Sequence, residues 1–449
     1  MTAIDDTASR FMQGLRKRNP SEPQFHRVVE AVVSSVLPWY LDHREFRQSQ
    51  ILERLTEPDR IISFRVSWQT DDGQIRSNRA WRVQHCNALG PYKGGLRFRR
   101  ELTLDVLKSL AFEQTLKNAL TDLPMGGAKG GTNFNPKGKS DEEIMRFCQS
   151  LMIGLHRYIG EDVDVPAGDI GVGETEIGYL FGQYTRLENR WAGVLTGKGC
   201  AFGGSAGRSE ATGYGCVYFC KNVAHRLDQE LAGSRIAVSG SGTVGLYAAE
   251  KAVELGARVV TMSDSSGFIY CREGLGQEHI ARLKEIKSDS SGRVSTLADE
   301  HRNIEYHKGE KPWAVECNIA MPCATENEID ADDAKLLADN GARIVCEGAN
   351  MPTTPEAVEY LRAQKVVLAP GKAANAGGVA VSGMELSQNA MRVSWSHEKV
   401  DTTLNEIMHD IHERCVIATD GADEPDYIAG ANLAGFQQVA RAMQAYGAA

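Results

Sequence analysis

The chain has 449 residues, 42% hydrophobic and 24% charged, which is too long for one core and suits a globular protein of two large domains. Its formal net charge of −9 argues against nucleic acid or an anionic membrane surface as a partner, and no apolar run is long enough to span a bilayer. Ten cysteines without a C-x-x-C pair, and an N-terminus with early acids and no apolar signal stretch, point to reduced thiols in a cytoplasmic setting.

Residues up to about 57 are expected to be helical, with Phe25, Val28, Val29, Val32 and Val33 facing inward. Strands follow over 61–68 and 76–85, joined by a hairpin turn at Asp71-Asp72-Gly73, and a third lies around 96–98. The next stretch, ALGPYKGGLRFRRELTLDVLKSLAFEQTLKNALTDLPMGGAKGGT at 88–132, organises the rest. Lys93 and Lys129 each fall in a glycine-rich sequence expected to turn and to let a ligand approach the backbone. Between them Thr103 is placed to cap a helix running to about residue 120, whose stripe Leu107, Leu110, Gln114, Lys117 passes from apolar to polar. Three converging lysines suit a small dicarboxylate: two fix its ends, and a third, crowded and buried, loses its proton readily enough for acid–base work. Solvated surface lysines are the ordinary alternative, with Lys117 paired to Glu113 one turn earlier.

A short strand near 131–134 and a helix over 140–159, started by Ser140 with Glu143 as a capping box, come next. A strand over 163–166 enters the loop A-G-D-I-G-V-G. Asp169 in that loop is a turn former or a catalytic carboxylate, and its place directly after a strand end favours the second. Residues 193–207 are rich in glycine and mark an inter-domain hinge. A helix over 212–226 leads to the strand RIAVS at 235–239, the loop Gly240-Ser241-Gly242-Thr243-Val244-Gly245, a helix over 246–255 and a strand over 258–262. This strand–loop–helix–strand context is the one a G-x-G-x-x-G dinucleotide motif requires, with Asp264 as the acid after the second strand. Strands over 317–320, 343–346 and 366–369 end in loops expected to face a nicotinamide ring, and helices close the chain, the last over 428–446.

Gly138-Lys139-Ser140 imitates the end of a phosphate-binding loop, but the glycine needed five positions earlier is Asn133, which excludes an ATPase of that type. Cys216 with Cys220, and His409 and His412 with Cys415, lack the spacing of structural metal sites, so no metal is expected.

The motifs PYKGGLRF, PMGGAKGGT, VPAGDIG, EATGYG, SGSGTVG and PGKAANAGGVAVSG together resemble the glutamate dehydrogenases, in particular their short-subunit, NADP-linked, hexameric branch. The resemblance covers nearly the whole chain from about residue 20. It implies an α/β fold of two domains. One is an N-terminal substrate and oligomerisation domain over 1–205, joined by a returning C-terminal helix in 425–449. The other is a Rossmann-like NADP-binding domain over 206–424. It implies that Lys93 and Ser382 hold the distal carboxylate of L-glutamate, that Lys117 and Gln114 hold the α-carboxylate end, and that the Gly168 backbone touches the substrate. Lys129 matches the catalytic lysine and Asp169 the proton-shuttling acid, while Arg208 matches a basic position near the cleft.

For the cofactor, the resemblance adds Thr212, Thr243, Asn350 and Asn375 to the glycines Gly240, Gly242 and Gly245. Asp264 alone would favour NAD. Ser265, Lys287 and Lys137 match positions that surround the extra phosphate of NADP, although a further basic residue of some relatives is Ser290 here. The implied reaction is L-glutamate, NADP+ and water giving 2-oxoglutarate, ammonium and NADPH. Hydride passes to the nicotinamide and hinge closure excludes water. The alternatives are an NAD-linked enzyme, a dehydrogenase for apolar amino acids, which would not need Lys93 with Ser382, and a non-catalytic NADP-binding protein, for which Lys129 and Asp169 would be idle.

Overall fold

The computed structural model describes residues 3–289 and 291–447, so Ser290 lies outside the described residues. The chain forms two compact units. One comprises the residues up to Ala206 with Val381–Val400 and the chain from Asn432, the other Gly207–Ala380 with Asp401–Ala431. The segment Val381–Val400 thus packs in the first unit, although the sequence reading assigned it to the second.

In the first unit β1 (Arg60–Gln69) and β2 (Ile75–Cys86) form an antiparallel hairpin. They are followed by β3 (Tyr92–Phe98), β4 (Gly127–Thr132) and β5 (Asp164–Ala167). The sheet order is β1-β2-β4-β3-β5, with β4, β3 and β5 parallel. The turns expected around Lys93 and Lys129 are strands instead: both lysines sit inside β3 and β4. Glycine disfavours a strand by entropy, but here its missing Cβ admits close neighbours, and packing overrides propensity. A Cβ on Gly94 would lie 1.7 Å from the Ala128 carbonyl oxygen, and one on Gly127 would lie 1.9 Å from Thr115 Oγ1.

The helix Leu104–Leu120 begins where Thr103 Oγ1 accepts the Val106 N–H at 3.4 Å, and it packs on β2, β3 and β4. Ser140 Oγ likewise accepts the Glu143 N–H at 3.1 Å to start the helix Asp141–Leu155, which stops short of the expected residue 159. Glu143 completes no box with Ser140; its Oε1 accepts the Asp71 N–H at 3.2 Å and ties the helix to the β1–β2 turn. Phe25, Val29 and Val33 of the helix Pro23–Asp42 share a core with Phe112 and Leu116. Phe436, Val439 and Met443 of the final helix, Tyr427–Tyr446, enter the same core.

The stretch read as a hinge is firmly held on its first-unit side. The Gly193 N–H donates to Glu161 Oε2 at 2.7 Å, and the Gly197 N–H donates to Glu385 Oε2 at 2.9 Å. Lys198 Nζ pairs with Glu385 Oε1 at 2.7 Å, both side chains fully buried.

His85 on β2 is buried in this unit with Nε2 against the Leu55 carbonyl at 2.9 Å, and burial pushes its pKa down to about 4. An unfolded histidine takes its proton near 6.5, so the unfolded chain binds the extra proton between those values. Stability contributed by neutral His85 is therefore complete above about pH 6.5 and falls by about 3 kcal/mol as pH drops toward 4, at 1.36 kcal/mol per pKa unit. Denaturant midpoints measured from pH 7 to pH 4.5 should decline less steeply in His85→Phe than in the parent.

The second unit holds β6 (Arg235–Ser239), β7 (Arg258–Asp264), β8 (Gly267–Tyr270), β9 (Glu305–Lys308), β10 (Ile319–Pro322), β11 (Ile344–Cys346) and β12 (Val367–Ala369). Their order is β12-β11-β10-β6-β7-β8-β9. The strands from β12 to β7 are parallel, and β8 and β9 extend the sheet antiparallel. Those last two were not foreseen, because short strands of mixed burial lack a clear alternation. Strand order reverses beside β6, the topological switch at which open α/β sheets bind ligands. Among the described residues no helix is long and apolar enough to cross a membrane.

Candidate active site

In the first unit the two glycines after Lys93 decide what can gather around β3. Lys93, Gly95 and Arg97 share one face by the period of two. A Cβ on Gly95 would come 2.7 Å from the Gly168 carbonyl oxygen and 2.8 Å from Asp169 Cβ. Only a bare backbone there lets the loop after β5 settle against the strand. The Phe98 N–H donates to the Ile170 carbonyl at 2.8 Å and fixes that loop.

The β3–β4 register sets Leu96 beside Gly130, so Lys129 lies next to Gly95. Lys129 Nζ donates to Asp169 Oδ1 at 3.0 Å, and Arg97 Nε donates to Asp169 Oδ2 at 2.6 Å. Burial holds the Lys129 ammonium below the ordinary lysine range; Asp169 opposes that shift, while Arg97 and Arg82 add to it. Burial alone would raise the Asp169 carboxyl, but Lys129 and Arg97 hold it down at about 2. The result is a carboxylate between two cations, one of them primed to release its proton.

Lys93 is 1% exposed, and its carbonyl accepts from Asn118 Nδ2 at 3.1 Å. Asn118 Oδ1 in turn accepts from Gln114 Nε2 at 2.6 Å, so the helix Leu104–Leu120 is fastened to β3 where it presents Gln114. A Cβ on Gly94 would lie 3.3 Å from Gln114 Cγ, which brings Gln114 beside Lys93. Lys117 is half-buried one turn further on. Ser382 is buried in the helix Gly377–Met391, whose next residue, Gly383, lies against Leu123 and Met125. Lys137 lines an open surface groove of about 660 Å³ with Arg76, Arg100 and Asn135, apart from the Lys129–Asp169 pair.

Sequence reasoning missed Arg97, Asn118 and Arg82. Arg82 is fully buried, pairs with Asp164 at the start of β5 and donates to the Gly94 carbonyl at 3.0 Å. It ties together the two strands that carry Lys93 and lead to Asp169. A signal was present for Arg97, since it lies four residues after Lys93 on one strand face.

In the second unit the dinucleotide loop has the shape its glycines predict. Gly240 has φ +80°, and its N–H donates to Ser263 Oγ at 2.8 Å. A Cβ on Gly245 would sit 2.4 Å from the Gly240 carbonyl oxygen, so the helix Thr243–Glu254 packs directly on the loop. A Cβ on Gly242 would meet nothing within 4 Å, leaving the backbone open at the helix N-terminus, where a pyrophosphate fits. Thr212 lies in the first turn of the helix Ala211–Arg226, and a Cβ on Gly378 would come 2.4 Å from its Oγ1 and 3.6 Å from Arg208 Nη1. Asn375 Nδ2 donates to Asn350 Oδ1 at 2.9 Å and to the Gly348 and Ala349 carbonyls, joining the loops after β11 and β12.

Asp264 at the end of β7 is engaged within the protein. Its Oδ1 accepts from the Ser266 N–H at 2.8 Å and its Oδ2 from the Val294 N–H at 2.9 Å, with Lys287 Nζ 3.8 Å away. Burial opposes its ionisation, yet the Ser266 and Val294 bonds and Lys287 hold its carboxyl below the usual range. Ser265 is exposed beside it and accepts from Arg293 Nη1 at 3.1 Å, while Lys287 Nζ donates to the Gly292 carbonyl at 2.9 Å. Arg293 is a second cation at this corner that the sequence reading did not name. No group of three or more His, Cys, Asp or Glu side chains among the described residues is placed to hold a metal.

Two family models cover the chain: the Glu/Leu/Phe/Val dehydrogenase dimerisation domain over residues 58–186 and the glutamate/leucine/phenylalanine/valine dehydrogenase domain over 203–447. The chain is 52% identical over 437 residues, 97% of its length and 98% of the relative's, to the NADP-specific glutamate dehydrogenase of Escherichia coli K12. It is 49% identical over 439 residues, 98% of its length and 99% of the relative's, to the NAD-specific glutamate dehydrogenase of Bacteroides fragilis. The crystal structure of Plasmodium falciparum glutamate dehydrogenase superposes with a TM-score of 0.96 at 44% identity, covering 99% of this chain and 95% of that one. With paired strands, dinucleotide loop and matched motifs all in place, the chain belongs to the glutamate/leucine/phenylalanine/valine dehydrogenase family.

Proposed function

We propose that the protein is an NADP-dependent glutamate dehydrogenase that interconverts L-glutamate with 2-oxoglutarate and ammonium. The observation that carries this reading is the buried Lys129–Asp169 pair at 3.0 Å, on the same sheet as buried Lys93. Lys93 and Ser382 take the distal carboxylate, which an apolar amino acid lacks, and Lys117 with Gln114 takes the α-carboxylate end. The Gly168 backbone lies against the substrate. The first unit serves substrate and assembly, the second the dinucleotide. The enzyme works as a cytoplasmic homo-hexamer, in keeping with its family.

NADP+, when bound, supplies the acceptor for hydride from the α-carbon. Gly240, Gly242, Thr243 and Gly245 would hold its pyrophosphate, Thr212, Asn350 and Asn375 its nicotinamide end, and Ser265, Lys287 and Arg293 its extra phosphate. The chain's own work is on the proton. Neutral Lys129 takes a proton from the water that attacks the substrate iminium, and Asp169 relays it onward.

The NADP-specific relative is the more similar of the two, 52% against 49% identical, and the corner after β7 supports the same cofactor. There Asp264 is committed to Ser266 and Val294, Arg293 bonds the exposed Ser265 hydroxyl, and Lys287 lies 3.8 Å from Asp264. Charged hydrogen bonds to a phosphate are worth about 1.5–3 kcal/mol each. Arg293→Ala should therefore raise KM for NADPH by about tenfold or more and change KM for NADH by less than about twofold. An absorbance assay at 340 nm with 2-oxoglutarate and ammonium, run with NADPH and NADH in parallel, tests the whole reading. Oxidation of neither cofactor, or equal use of both, would count against it.

A further inference from the structure

We propose that Arg97 is the positioning residue that lets Lys129 give up and regain its proton, by keeping Asp169 paired in both states of the lysine. The inference rests on the acid–base reading of Lys129 and Asp169.

Asp169 uses one oxygen for each cation: Oδ1 for Lys129 at 3.0 Å and Oδ2 for Arg97 at 2.6 Å. All three side chains are largely buried, with 7%, 15% and 4% of the Lys129, Asp169 and Arg97 side chains exposed. In a simple lysine–aspartate pair, deprotonating the lysine would strand a buried carboxylate, which costs several kcal/mol unless the carboxyl takes the proton itself. The proton would then rest on the carboxyl instead of passing on through it. A guanidinium cannot be deprotonated in a protein, so Arg97 keeps Asp169 paired whichever state Lys129 is in, and the carboxyl holds a relayed proton only in passage.

The architecture holds Arg97 to that task. It is a strand residue, fixed by the β3–β4 register beside Gly131, where a Cβ would come 2.3 Å from the Arg97 carbonyl oxygen. The next residue, Phe98, donates its N–H to the loop that carries Asp169. Asp169 from the loop after β5, Arg97 from β3 and Arg82 from β2, which pairs with Asp164, all act on Lys129, and Lys93 shares the β3 face with Arg97. Arg97 is thus the cation bonded to the same carboxylate as Lys129. Removing its charge moves Lys129 and Asp169 in one direction, toward holding protons more tightly.

The test is the pH profile of kcat/KM for L-glutamate between pH 6 and 10, with Arg97→Met, Arg97→Gln and Arg97→Lys beside the parent. Glutamine keeps an N–H donor for Asp169 without the charge, so it separates charge from shape and serves if the methionine variant does not fold. The ascending limb should move to higher pH by about one unit or more in both neutral variants, so that activity near neutrality falls about tenfold and recovers in alkali. Arg97→Lys should show less than half that displacement. An equal loss at every pH in the neutral variants, or the same displacement in Arg97→Lys, would overturn the proposal. Lys129→Ala is assayed alongside. If it retains parental turnover, the acid–base reading itself fails; if it is inactive while the limb stays in place in the neutral variants, only the role of Arg97 fails.

Discussion

Lys129→Ala is expected to lower turnover of L-glutamate by at least about 10²–10⁴-fold, the usual contribution of a positioned acid–base group. Affinity for NADPH should stay unchanged, because the dinucleotide loop is built wholly from the second unit. The reason lies in two opposing forces on one ammonium. Burial disfavours its charged form, while Asp169 at 3.0 Å favours it. Burial prevails, with Arg97 and Arg82 adding to it, so this lysine gives up its proton more readily than a solvated one. Asp169→Asn tests the same balance from the other side. It keeps the shape, removes the charge that favours the ammonium, and should make Lys129 easier to deprotonate while removing the relay. Turnover of Lys129→Ala within about tenfold of the parent would assign the proton chemistry to another group.

The parts of this site that could be read in the sequence are those whose residue types carry their own geometry. Gly240 needs a positive φ, Gly245 needs to pack without a Cβ, and a strand–loop–helix pattern surrounds them, so the dinucleotide loop was legible down to single residues. Thr103 and Ser140 announced their helices by the same logic of local bonding. The glycines around Lys93 and Lys129 were misread as turns because a glycine-rich string has two physical uses. It can reverse the chain, or it can let backbones, a helix and a loop crowd onto one strand. Only tertiary packing distinguishes them: the near-contacts from Gly94 to Ala128 and from Gly95 to Gly168 come from segments more than thirty residues away.

Arg97, Asn118, Arg82 and Arg293 were missed for a related reason. Each acts through a partner distant in sequence, namely Asp169, the Lys93 carbonyl, Asp164 and Ser265. Apart from the strand face that Arg97 shares with Lys93, nothing in their immediate neighbours distinguishes them from ordinary polar residues. Arg293 shows what local reading leaves out at the cofactor end. Ser290 stands where some relatives carry a basic residue, yet three residues later the chain brings a guanidinium to Ser265.

The second large effect is expected at Lys93. A dicarboxylate bound at both ends needs a fixed cation for its distal carboxylate, since that group is stripped of water on binding. Lys93 is buried on β3, and its backbone is locked by Asn118, so its ammonium has little freedom to follow a misplaced ligand. Lys93→Ala should lower kcat/KM for L-glutamate by about 10²-fold or more, because truncating one member of a buried charge pair costs about 3–5 kcal/mol. Norvaline, which places a methyl group where glutamate has its carboxylate, never makes that pair, and its kcat/KM should change by no more than a few fold. The ratio of the two specificity constants is therefore the measurement that matters. It separates loss of a particular bond from general damage, because a disturbed sheet would displace Lys129 and Asp169 for both substrates alike. Equal losses for glutamate and norvaline would mean that Lys93 supports the strand rather than choosing the substrate.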